Sequence, residues 1–195
     1  MSSLIGILAI DRDINNIKKL LLSLPNNIDI IIITRKQDIY IINYINTFPH
    51  IKLLQVDNYK ISNRHNCEQI AFKRQIIINY AKNNNYKYLL FCDSDIILPQ
   101  NCLTDMITIS KSNNESIVCG IYPVVWAGGS PIVFTQKGLT EYKYMNENDN
   151  IIIGGFGCVL INSMYYNIPI KIHRLNITKK TDITGEDFGW YLELF

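Results

Sequence analysis

The sequence predicts an α/β fold built on a mostly parallel sheet, and three features lead there. Short apolar runs dominated by isoleucine alternate with longer segments whose apolar residues recur every three or four positions. The short runs are continuously apolar, as strands buried on both faces are. Strand and helix follow one another in turn, which is the pattern of βαβ units with right-handed crossovers.

The first strand is Leu4 to Ile10. Asp13 then caps a helix carrying Ile14, Ile17, Leu20, Leu21 and Leu24 on one face, and Pro25 closes it. Asp29 to Thr34 is the second strand. A shorter helix follows with Ile39, Ile42 and Ile45 on one side, ended by Pro49, and Ile51 to Val56 is the third strand. Ser62 or Asn63 opens a long helix over about 67–83, with Ile70, Ala71, Ile77, Ile78 and Ala81 facing inward. Arg74 falls on that same apolar stripe, either to meet an anion or to snorkel to the surface. Residues 101–110 read as a further helix and 117–125 as a strand.

Between these lies Tyr88-Leu89-Leu90-Phe91-Cys92-Asp93-Ser94-Asp95-Ile96-Ile97-Leu98-Pro99. A buried strand here ends in two aspartates. On an extended chain, carboxylates at i and i+2 point to one side. At ~5 Å and an effective dielectric of ~20 they repel by roughly 3 kcal/mol. A divalent cation removes that cost, and Mg²⁺ or Mn²⁺ commonly shares such carboxylates with a substrate phosphate. The alternative is an Asp-Ser-Asp turn with no ligand. The first strand runs into Ala9-Ile10-Asp11-Arg12-Asp13, without the glycine-rich sequences of dinucleotide-binding or P-loop proteins.

Composition excludes other classes. The chain has 195 residues, is 48% hydrophobic and 18% charged, and carries a formal charge of +2. It is therefore globular, with little pull towards nucleic acid. No apolar run approaches a membrane span, and the first basic residue follows the apolar N-terminal run, the reverse of a signal peptide. Five cysteines without a C-x-x-C favour reduced, buried thiols and a cytoplasmic location.

The second half adds four stretches. Trp126-Ala127-Gly128-Gly129-Ser130 is a loop with an aromatic side chain suited to a sugar ring. Residues 142–150, which include Asp149, read as a mobile polar loop. Ile151-Ile152-Ile153-Gly154-Gly155-Phe156-Gly157-Cys158 places glycines within a strand, where backbone approaches something closely. Thr184-Gly185-Glu186-Asp187 precedes an aromatic-rich helix and also fits a capping box.

The hydrophobic–Asp93-Ser94-Asp95–hydrophobic–Pro99 segment, the glycine strand and Gly185-Glu186-Asp187, in that order, resemble the motifs of GT-A-fold glycosyltransferases. Arg74-Gln75 partly matches their A-R-N-like helix sequence. The resemblance covers nearly the whole chain, and the small size and coding bias resemble virus-encoded members.

The resemblance implies a Rossmann-like central sheet with helices on both faces and a smaller mixed sheet near the acceptor. Residues 1–98 would form a nucleotide-binding half and 99–195 an acceptor half of a single domain. It also implies metal-dependent, inverting sugar transfer from a nucleotide-sugar donor to a hydroxyl of a glycan or glycoprotein. Asp93, Asp95 and His173 would bind Mn²⁺ or Mg²⁺. Asp11, Arg74, Asp93, Gly154, Gly155 and Trp126 would meet donor or acceptor. Asp187 would be the base, with Glu186 and Asp149 as the other candidates. The alternatives are a sugar-nucleotide nucleotidyltransferase, against which the missing glycine-rich loop counts, and a non-catalytic nucleotide-binding module.

Overall fold

The computed structural model describes residues 2–57, 66–112, 117–122, 132–135, 138–141, 151–153 and 156–170. Its strands are β1 (Ser3–Leu8), β2 (Asp29–Arg35), β3 (Ile51–Val56), β4 (Tyr88–Asp93), β5 (Ile117–Cys119), β6 (Ile132–Thr135), β7 (Gly138–Glu141), β8 (Ile151–Ile153) and β9 (Cys158–Asn162). The helices are α1 (Ile14–Ser23), α2 (Ile39–Ile45), α3 (Asn66–Asn83) and α4 (Cys102–Ser112). The main sheet has six strands in the order β3-β2-β1-β4-β9-β5. The first four run parallel, and β9 pairs antiparallel with both β4 and β5. The expected mostly parallel sheet is present.

Helices cover both faces. Alternate residues of each strand feed two separate cores, as a side-chain period of two requires. Ile5, Ile7, Ile30, Ile32, Leu90 and Cys92 pack with Ile17 and Leu20 of α1, Ile41 and Ile45 of α2, and Leu103 and Met106 of α4. Leu4, Ile31, Ile33, Leu89 and Phe91 pack with Ala71, Ile77, Ile78 and Ala81 of α3 on the opposite face. Each fully buried isoleucine or leucine contributes about 1.5–3 kcal/mol, so the isoleucine-rich strands are the main source of stability.

The second sheet has three strands, β7-β6-β8, and both pairings are antiparallel, so the expected mixed sheet is corrected to an antiparallel one. The glycine-containing stretch is not one strand: β8 belongs to the small sheet and β9 to the large one, and the chain changes sheets between them.

The order of strands creates the opening that matters. From β1 the chain moves through α1 to β2 and outward to β3 on one side. It then returns through α3, across the other face, to β4 on the far side of β1. The strand order therefore reverses between β1 and β4. Open α/β sheets bind ligands in the crevice at the carboxyl ends of two such strands. Here those ends are level, because Leu8 pairs with Asp93.

Candidate functional site

A cavity of about 260 Å³ opens at this point. One wall is the chain leaving β1, from Leu8 to Ile10 with Arg12 and Asp13. The second is Asp93, Ser94 and Asp95 after β4, and the third is Ile70, Lys73 and Arg74 of α3.

Asp93 is the last residue of β4, and its amide donates to the carbonyl of Gly157 at 2.9 Å. Ser94 and Asp95 are not extended. They form a turn, with the Ile96 amide donating to the Asp93 carbonyl at 3.1 Å. The expected one-sided projection from a straight chain is thus corrected, and it is the turn that presents both carboxylates to one cavity. Ser94 is buried, and its hydroxyl donates to Asp13 Oδ2 at 2.9 Å. That bond ties the loop after β1 to the loop after β4. Asp13 occupies the position before α1 but makes no side-chain cap bond, so its expected capping role is corrected to this cross-strand one.

Arg74 is 4% exposed, so a snorkelling surface arginine is ruled out. Its Nη2 donates to Asp93 Oδ1 at 2.7 Å. The guanidinium lies 4.9 Å from the Phe156 ring centroid and 5.7 Å from that of Phe91, and the two rings stack at 5.6 Å. A buried guanidinium needs such partners, since two aromatic faces and one carboxylate replace the water it has lost.

Gly157 is where the backbone approaches closely. A Cβ there would stand 2.5 Å from Tyr122 Oη and 2.9 Å from Asp93 Oδ2. Its amide donates to Tyr122 Oη at 3.1 Å. The glycine therefore leaves room for the Asp93 carboxylate.

The Asp95 carboxyl is pushed above its ordinary value by burial first and by the charge of Asp93 second. A cation would remove both penalties. Among the described residues, no group of three or more His, Cys, Asp or Glu side chains is placed to hold a metal ion. The carboxylates of Asp93 and Asp95 are oxygen donors of the kind that Mg²⁺ or Mn²⁺ shares with phosphate and water, and both line the cavity.

Asp11 points elsewhere: its Oδ1 accepts from the Ile41 amide at 3.0 Å, at the start of α2. Its own amide donates to Asp38 Oδ1 at 3.2 Å. Asp38 is 1% exposed and also accepts from Thr34 Oγ1 and from the amide, Nε and Nη2 of Arg35. The structure brings Arg74, Asp93 and Asp95 together. Trp126, Asp149, Gly154, Gly155, His173, Glu186 and Asp187 lie outside the described residues. Sequence reasoning missed Lys73, Ser94 and Tyr122, and passed over Gly157 as one glycine among three.

No protein-family model matches the sequence, and no curated protein does. The fold, however, matches solved structures. A 4-diphosphocytidyl-2C-methyl-D-erythritol synthase aligns over 100% of this chain and 86% of its own, with a TM-score of 0.57 and 10% identity. A CMP:2-keto-3-deoxy-manno-octonic acid synthetase complexed with CTP aligns over 88% and 80%, with a TM-score of 0.52 and 7% identity. A putative UDP-N-acetylglucosamine pyrophosphorylase from Entamoeba histolytica aligns over 94% and 66%, with a TM-score of 0.51 and 12% identity.

The chain has the Rossmann-like fold of these nucleotidyltransferases. The expectation of a hexosyltransferase is corrected by them. Two acids after a buried strand suit any metal–phosphate chemistry at this place in a sheet. They do not specify whether a sugar carbon or a phosphorus is attacked.

Proposed function

We propose that the chain is a nucleotidyltransferase that joins a nucleoside triphosphate to a sugar phosphate. The observation that carries this is Arg74, Asp93 and Asp95 around one cavity at the strand-order reversal, on a fold similar to that of such enzymes. An acceptor phosphate oxygen attacks the α-phosphorus of the triphosphate. A new P–O bond forms, the bond from the α-phosphorus to the bridging oxygen breaks, and pyrophosphate leaves with the electron pair. The product is a nucleoside-diphosphate sugar.

The site's own groups match this chemistry. A phosphate monoester loses its second proton near pH ~6 and is ionised at neutral pH, so the attacking oxygen needs no general base. Asp187, Glu186 and Asp149 are not required by this reaction. Arg74 supplies positive charge beside the phosphates while Asp93 and the two rings fix its orientation. Asp95 and the Asp93 oxygen that Arg74 does not engage would hold the divalent ion, which when bound neutralises phosphate oxygens and eases the departure of pyrophosphate. The loop after β1 has no glycine to bring backbone amides to the phosphates, so side chains take that role.

Titration of each nucleoside triphosphate with Mg²⁺ and with EDTA tests this. The wild type should bind one of them only with the metal. Asp95→Asn and Arg74→Met should each weaken that binding about tenfold or more, in the range of a charge-assisted hydrogen bond. Equal affinity in EDTA and in both variants would refute the assignment of the site.

A further inference from the structure

Among the described residues, three cations and three acids line the cavity. Two of the cations are already matched: Arg74 with Asp93 at 2.7 Å, and the exposed Arg12 with Asp13 at 3.5 Å. The third, Lys73, is not. It is 7% exposed, and it makes no hydrogen bond or ion pair among the described residues. A lysine this buried would ordinarily be paired. Its surroundings add to the deficit. Burial lowers its affinity for a proton, the Arg35 charge lowers it further, and Asp38, already saturated by its own hydrogen bonds, opposes this only in part. Among the described residues, the α3 side of the cavity thus holds a buried cation without an anion to match it.

We propose that Lys73 is a phosphate-binding residue at the inner wall of the crevice, where it receives the terminal phosphates of the triphosphate, the part that leaves as pyrophosphate. This rests on the nucleotidyl-transfer reading for the identity of the ligand, but not for the presence of a phosphate subsite. The leaving group would then sit between Lys73 on α3 and the acids after β4, which line the same cavity. An ammonium on a flexible stem suits a tetrahedral phosphate that moves as the bond breaks.

The test is isothermal titration of inorganic pyrophosphate, and separately of the uncharged nucleosides, into wild type and Lys73→Met, each with Mg²⁺. Methionine keeps the stem and removes the charge. Pyrophosphate affinity should fall tenfold to a hundredfold, on the scale of a lost charge-assisted hydrogen bond, while nucleoside binding is unchanged. Lys73→Met should melt no lower than wild type without ligand, because it removes an uncompensated buried charge. If it does melt lower, Lys73→Gln, which keeps a polar end without the charge, takes its place in the titration. Unchanged pyrophosphate affinity would overturn the inference. Lys73-dependent pyrophosphate binding in a protein that never releases pyrophosphate from a triphosphate would retain the subsite and reject the nucleotidyl-transfer reading. Pyrophosphate release with Lys73-independent binding would do the reverse.

Discussion

Gly157 and Asp95 show how single residues balance packing against charge at this site. Gly157→Ala would drive a methyl against Tyr122 and the Asp93 carboxylate at distances that real Cβ atoms do not show. Overpacking of this kind costs about 1–3 kcal/mol, and here it also displaces Asp93 from Arg74. Thermal denaturation should show a lower midpoint, and nucleotide titration a weaker complex. Asp95 works in the opposite direction. Its carboxyl titrates above the unfolded value, so the folded state loses stability as pH rises through that interval and is relieved of the penalty below it. Asp95→Asn should therefore melt at or above the wild-type temperature at neutral pH while losing metal-dependent binding. A variant that melts lower would show that Asp95 has a structural partner. Arg74 was legible because one charge interrupted an apolar stripe. Lys73 was not, since a lysine next to that stripe reads as solvated and only the packing of α3 against the sheet buries it. Asp13 was misread because an acid before a helix suggests a cap, whereas Ser94, distant in sequence, claims its carboxylate.

At the scale of elements, the loop following β2 is held by Asp38. Five donors converge on its two oxygens, from Thr34, Arg35 and the Asp11 amide. Burial works to raise this carboxyl, but the Arg35 guanidinium and the amides of Asp11 and Arg35 outweigh it and hold it below its ordinary value of 3.8. A carboxyl lowered on folding stabilises the fold above its unfolded value, and that contribution is lost as pH falls through the lowered one. Acid denaturation below about pH 4 should therefore be steeper in wild type than in Asp38→Asn. At neutral pH the variant should be less stable by about 1–3 kcal/mol, the cost of losing charge-assisted hydrogen bonds to a partly exposed arginine. Equal acid sensitivity in the two proteins would remove Asp38 from this role. The strands and helices of the first half were legible nearly to their ends, because unbroken isoleucine runs and helical periodicity are local signals. The division of the glycine stretch between two sheets was not, since it depends on which strands pair.

At the scale of the whole molecule, the β1–β4 reversal places three distant segments around one cavity, and no single segment announces it. The parallel sheet and the acids at a strand end were readable from sequence. Which bond is broken there was not, because it depends on where a phosphorus or a sugar carbon lies relative to those acids. Arg74, Lys73, Asp93 and Asp95 line that one cavity, and the proposed function assigns them transfer at phosphorus. The most direct measurement of that claim is a pyrophosphatase-coupled assay of the full chain with each nucleoside triphosphate, a panel of sugar 1-phosphates and Mg²⁺, with the nucleotide product followed by mass. One pairing should release pyrophosphate in step with the appearance of a nucleoside-diphosphate sugar, and Asp95→Asn should abolish both. A chain that binds the triphosphate yet releases no pyrophosphate with any acceptor would contradict the account.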